Sequence, residues 1–170
     1  MKRLLAVVLL LAACGGAGPT TSPSSSSPAG WAQQGANEVV PIAVSSELAV
    51  GQNRFLVNLV DRQNEPLAAF DRAVELRFFD LAASTEQPAV TVAGTYMRTI
   101  PSLPGLYRAP VEFGRAGDWG LEVSVTDPGG GTRSGRMAFS VRERFSTPAI
   151  GAQAPASDWP TPFTNEEIAL

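Results

Sequence analysis

From residue 38 onward, apolar and polar side chains alternate with a period close to two, the spacing that places every second side chain on one face of a strand. Seven segments follow this rule. The first is 38–45 (EVVPIAVS), where Pro41 lacks an N–H for a ladder on both sides and so predicts a sheet edge. The second, 54–61 (RFLVNLVD), points Phe55, Val57 and Leu59 one way, and 61–66 (DRQNEP) reads as a turn. The third, 73–81 (AVELRFFDL), buries Val74, Leu76 and Phe78 and turns Glu75 and Arg77 outward. The fourth, 89–99, is less regular, and Gly94 marks a bulge within it. Beyond a 101–105 turn (PSLPG), the fifth segment, 106–113, sends Tyr107, Ala109, Val111 and Phe113 inward, with Arg108, Pro110 and Glu112 outward. The sixth, 118–127, buries Trp119, Leu121, Val123 and Val125. A PGGG hairpin turn at 128–131 leads to the seventh, 134–142, which buries Met137, Phe139 and Val141.

No amphipathic helix of useful length interrupts this span. Short strands separated by turn signals at regular intervals predict an all-β fold, a seven-stranded immunoglobulin-like β-sandwich over residues 38–145. Parity sends Leu56 and Phe79 away from its core. Exposed apolar positions mark interfaces, so the outer face carrying these two residues is the predicted partner-binding surface.

Composition changes on either side of this span. Residues 14–37 contain GGAGPTTSPSSSSPAG, too small and polar to offset chain entropy by burial, and predict a flexible tether. A chain of this length reaches about 25 Å. Trp31 breaks the run and belongs either on a membrane interface or on the domain. Residues 146–170 are again rich in proline, with a short helical end expected at 165–170.

The start of the chain predicts export. Lys2 and Arg3 precede about ten apolar residues, the length of a signal-peptide core and about half that of a membrane span. Leu11-Ala12-Ala13-Cys14 resembles the lipobox of bacterial exported lipoproteins. The resemblance implies a signal peptide over residues 1–13, cleavage before Cys14, a diacylglyceryl thioether on its sulfur and an acylated new amino terminus. Two or more acyl chains make such anchoring stable. The alternative is a secreted protein cut near Ala13, with a free thiol. The predicted location is the cell envelope, lipid-anchored on the extracytoplasmic side of a bacterial membrane.

Charge and residue usage then remove several chemistries from consideration. Cys14 is the single cysteine, so no disulfide can form within the chain. Without Lys2 and Arg3 the 13 basic residues fall to 11 against 16 acidic ones, a net charge of −5. That balance opposes nucleic-acid binding, which needs concentrated positive charge. The chain has no histidine, and no lysine beyond position 2, so the usual bases that activate a serine are missing. Glu75, Glu112 and Glu122 occupy outward strand positions, where solubility accounts for them. No catalytic residue, metal site or cofactor is expected, and the chain is read as not being an enzyme.

Two stretches resemble known families. GQNRFLVNLVDRQNEPL followed by AVELRFFD is similar to the opening strands of bacterial extracytoplasmic immunoglobulin-like modules. GLYRAPVEFGRAGDWGLEVSVTD is similar to their G-x-Y…G-x-W-x-L-x-V hairpin. Together they resemble the YtkA-like group over about residues 47–141, related in architecture to FixH-like and CopC-like domains. The resemblance implies an immunoglobulin-like fold and a redox or metal-handling envelope protein as partner. Its alternative implication, an extracytoplasmic copper or cation carrier, would require ligands of a kind this chain offers only in Met97, Met137 and carboxylates. In the tail, IGAQAP at 150–155 resembles the lead-in to thioredoxin-like domains, with no Cys-x-x-Cys following it.

Overall fold

The computed structural model describes Trp31 and residues 38–98, 100–148 and 151–153. Cys14, the expected signal peptide, nearly all of the tether and the expected helical end lie outside the described residues. Eight strands follow in order: β1 (Val40–Ala43), β2 (Gly51–Val60), β3 (Ala73–Asp80), β4 (Val90–Ala93), β5 (Thr95–Met97), β6 (Leu106–Phe113), β7 (Gly117–Thr126) and β8 (Thr132–Val141). They form two antiparallel four-stranded sheets, β1-β2-β6-β5 and β4-β3-β7-β8. The described residues contain no helix.

The turns form where the sequence places them. Asp61 accepts the N–H groups of Gln63 and Glu65 at 2.9 and 2.8 Å. Asn64 takes the left-handed conformation there, which its short polar side chain tolerates. Asp127 and Gly131 close the β7–β8 hairpin, with Gly130 at φ 88°. Pro41 lies on β1, an edge strand, as its missing donor requires.

One expectation is corrected. The fourth segment is two strands, so the total is eight. Gly94 is the point where the chain leaves the second sheet for the first. Its N–H donates to Val74 O at 2.8 Å, yet the next residue pairs with Arg108 in the other sheet. A Cβ on Gly94 would meet Leu76 at 2.9 Å and Val74 at 3.2 Å on one side, and Tyr107 at 3.3 Å on the other. A side chain at that crossing would force Leu76, Val74 or Tyr107 to give way, so the glycine suits the close approach of the two layers.

The core lies between the sheets. Phe55, Val57 and Leu59 of β2 and Tyr107, Ala109, Val111 and Phe113 of β6 face Val74, Leu76 and Phe78 of β3 and Trp119, Leu121, Val123 and Val125 of β7, all buried. Rings interlock across the interface: Phe55 meets Phe78 edge-on at 5.1 Å, and Phe113 meets Trp119 at 4.8 Å. Such pairs add to the area term that dominates burial. Of the three β8 side chains expected in the core, only Val141 is buried; Met137 and Phe139 are half-buried against the rim of the core.

Two buried polar side chains find partners in nearby loops. Asn53 bonds Ala49 through its carbonyl and its amide and reaches Gly51 O, holding the β1–β2 link against the end of β8. The Tyr107 hydroxyl donates to Ala69 O at 2.7 Å and accepts from Ala69 N–H at 3.2 Å, tying the β2–β3 loop to β6.

Candidate functional site

Strand parity gives the direction of Leu56 and Phe79 correctly, but the structure does not bring them together. Leu56 lies on β2 and Phe79 on β3, in different sheets, so they point from opposite outer faces of the molecule. Leu56 is half-buried. Phe79 is only 2% exposed, because Trp31 packs on it with ring centroids 4.8 Å apart. The expected exposure of Phe79 is therefore corrected: its cover comes from a residue far earlier in the chain. The same contact places Trp31 on the domain.

Glu122 needs a similar correction. It does point outward, but it is 7% exposed rather than solvated. Arg77 and Arg136, its neighbours on β3 and β8, both pair with its carboxylate. Glu75 and Glu112 remain exposed, as expected. Burying one carboxylate is tolerated here because two guanidinium groups satisfy it.

The Phe70 end, one of the exposed apolar surfaces among the described residues, carries no signal in the alternation. Phe70, in the β2–β3 loop, is 84% exposed, the most exposed large apolar side chain among the described residues. With Tyr96, Leu103 and Pro104 it lines a shallow hollow at one end of the sandwich, and exposed Ile100 belongs to the same β5–β6 loop. The Tyr96 ring lies over Gly105, where a Cβ would fall 2.3 Å from the ring. This surface sits on loops, where alternation carries no information. The only signal for it is an aromatic residue isolated between Ala69 and Asp71, outside any strand.

The opposite end carries a cleft of about 480 Å³, lined by Asp80, Glu112 and Arg115 together with apolar Ala83, Ala89, Val90 and Trp119. Asp80 pairs with Arg115 at 3.3 Å, and Trp119 Nε1 donates to Arg115 O at 3.1 Å. Glu112 is exposed and bonded to Gln52, so the cleft holds no buried pair of carboxylates. Among the described residues, no group of three or more His, Cys, Asp or Glu is gathered to hold a metal ion. Met97 is half-buried on β5 and Met137 packs beside the core.

Two carboxylates act as structural ties. Glu47 accepts from the Ser146 N–H and hydroxyl and from Arg142, and these bonds, the backbone one foremost, hold it below the usual carboxylate range. Burial alone would raise the Asp127 carboxyl, but Arg133 and Arg72 outweigh it and hold this group low as well. A group whose folded value lies below its unfolded one contributes stability above the unfolded value, near 4, and loses it as pH falls through the folded value. The urea midpoint of the full chain is therefore expected to stay level above about pH 5 and to drop below about pH 4. Glu47→Gln combined with Asp127→Asn flattens that drop. An equal drop in the double variant would show that these ties are not its source.

No family model matches the chain, and no curated protein matches it.

Proposed function

We propose that the chain is a lipid-anchored extracytoplasmic module of immunoglobulin-like type that works by protein–protein contact rather than catalysis. The strand orders support the immunoglobulin-like class. β1-β2-β6-β5 and β4-β3-β7-β8 follow the A-B-E-D arrangement of such sandwiches, with an added strand beside C-F-G. The parallel bridge from Ala49 to Arg142, beyond the end of β1, fits the same topology. Export and anchoring rest on the lipobox-like LAAC at 11–14.

The observation that carries the contact reading is the Phe70 end. A chain that encloses ring after ring between its sheets leaves its most exposed aromatic beside Leu103 and Tyr96, the kind of apolar grouping that a partner covers. The partner that fits is a protein with a complementary apolar surface, and the YtkA-like resemblance suggests a redox or metal-handling envelope protein.

The test is site-specific photo-crosslinking in intact cells, with the photoreactive residue at position 70 or at position 56 of the lipidated chain. A discrete adduct at 70, lost with Leu103→Asp, is the expected result. Adducts at 56 alone, or at neither position, would overturn the contact surface. In the same cells Cys14→Ala is expected to abolish lipid labelling; persistent labelling would refute the anchor.

A further inference from the structure

The outer face of the second sheet holds a notch made to measure for an indole. Phe79, Gly120 and Ala138 form one cross-strand row on β3, β7 and β8, all pointing away from the core. An aromatic side chain at one end and two of the smallest residues beside it leave a step in the sheet surface. Trp31 fills that step and is 2% exposed. A Cβ on Gly120 would fall 2.4 Å from its ring, so the indole occupies space that any other residue at 120 would claim. Leu81 joins the same small apolar cluster.

The remaining side of the ring is met by charge. The Arg136 guanidinium lies 5.0 Å from the indole centroid, within the range where a cation is attracted to the ring face. Its position is set from behind, since Arg136 also bonds Glu122, and Glu122 is held in turn by Arg77. This accounts for a buried carboxylate on an outer sheet face: Glu122 aims the cation that covers Trp31.

We propose that this notch is an indole-binding site whose ligand is Trp31 of the same chain, and that it fixes where the N-terminal segment leaves the domain. Six residues lie between Trp31 and Glu38, seven steps along the chain, and the Glu38 N–H donates to Ser134 O on β8. Ala138 lies four residues along β8 from Ser134, about 13 Å, and seven steps of chain reach up to about 24 Å. Occupation within one chain is therefore within reach. The consequence deepens the function proposed above and rests on its anchor: among the described residues, Trp31 is the one nearest to Cys14 along the chain, and its seat on the outer face of the second sheet favours that face toward the lipid.

The site itself is tested on the full chain with Cys14→Ser, which carries no lipid. Nuclear Overhauser contacts are expected from the Trp31 indole to Gly120 Hα and the Ala138 methyl. In a sample mixing isotope-labelled and unlabelled chains they are expected only within one chain. Gly120→Val fills the notch and is expected to abolish them, while Trp31→Ala shifts the Phe79, Gly120 and Ala138 resonances and leaves those of Phe55 and Phe113 in place. Absent contacts, contacts only between chains, or contacts that survive Gly120→Val would each overturn the proposal. Orientation is read with the lipidated chain in nanodiscs bearing a headgroup spin label. Attenuation at Glu75 and Ser124 at least twice that at Leu56 supports it; equal attenuation with the Trp31 contacts intact overturns the orientation. Missing lipid labelling overturns the anchor and leaves the site standing.

Discussion

Phe78→Ala is expected to lower the stability of this domain by about 3–5 kcal/mol, the cost of deleting a fully buried phenylalanine. Phe78 is 0% exposed and stands edge-on to Phe55, Phe113 and Phe139, so its removal leaves a cavity that touches both sheets. Domains of this size have only about 5–15 kcal/mol in total, and with Cys14 the single cysteine no internal disulfide offsets the loss. Urea unfolding followed by tryptophan fluorescence measures it. Phe70→Ala is the control, expected to change stability by less than about 0.5 kcal/mol because the ring is already in water. A loss below about 1 kcal/mol for Phe78→Ala would mean that the rings do not form one packed core.

Gly135→Ala carries the second large effect, by a different route. Its backbone is not in the left-handed region, so alanine could adopt the local conformation without strain. The obstacle is space: a Cβ there would lie 1.7 Å from the carbonyl oxygen of Val39. Backbone cannot rotate aside as a side chain can, so residues 38–41 must lift off β8. Overpacking of this kind costs about 1–3 kcal/mol, and the upper end applies because Val39 and Pro41 are both buried at the crossing. Amide exchange is expected to show lost protection in β1, with the β3–β7 pairing unchanged. Gly129→Ala, which meets nothing within 4 Å, is the harmless comparison. Equal protection of β1 in Gly135→Ala and the parent chain would contradict the observed contact.

These two positions show how far the sequence could be read. The inward set on β2, β6 and β7 follows from period-two alternation, because a strand's own geometry decides which neighbours share a face. That information is local, and it is complete for Phe55 or Leu121. The crossing at Gly94 is not local: the less regular stretch 89–99 reads as one bulged strand, while the chain in fact changes sheets there, and the approach of Leu76, Val74 and Tyr107 accounts for the glycine. Phe79 and Glu122 illustrate the same boundary. Parity states that they point outward, yet what covers them comes from Trp31, Arg77 and Arg136. Phe70 escapes any periodic reading because it lies on a loop. For the candidate surface, then, the alternation supplied directions and the tertiary contacts supplied exposure.

The most direct measurement is the pattern of ring-to-ring Overhauser contacts in the full-length protein at neutral pH. Phe55 and Phe113 belong to one sheet, Phe78 and Trp119 to the other. Strong contacts between Phe55 and Phe78, and between Phe113 and Trp119, are predicted for two layers closed on each other at about 5 Å between rings. Protected strands without either contact would describe an open sheet, and the closed core on which the fold and its outer surfaces depend would be wrong.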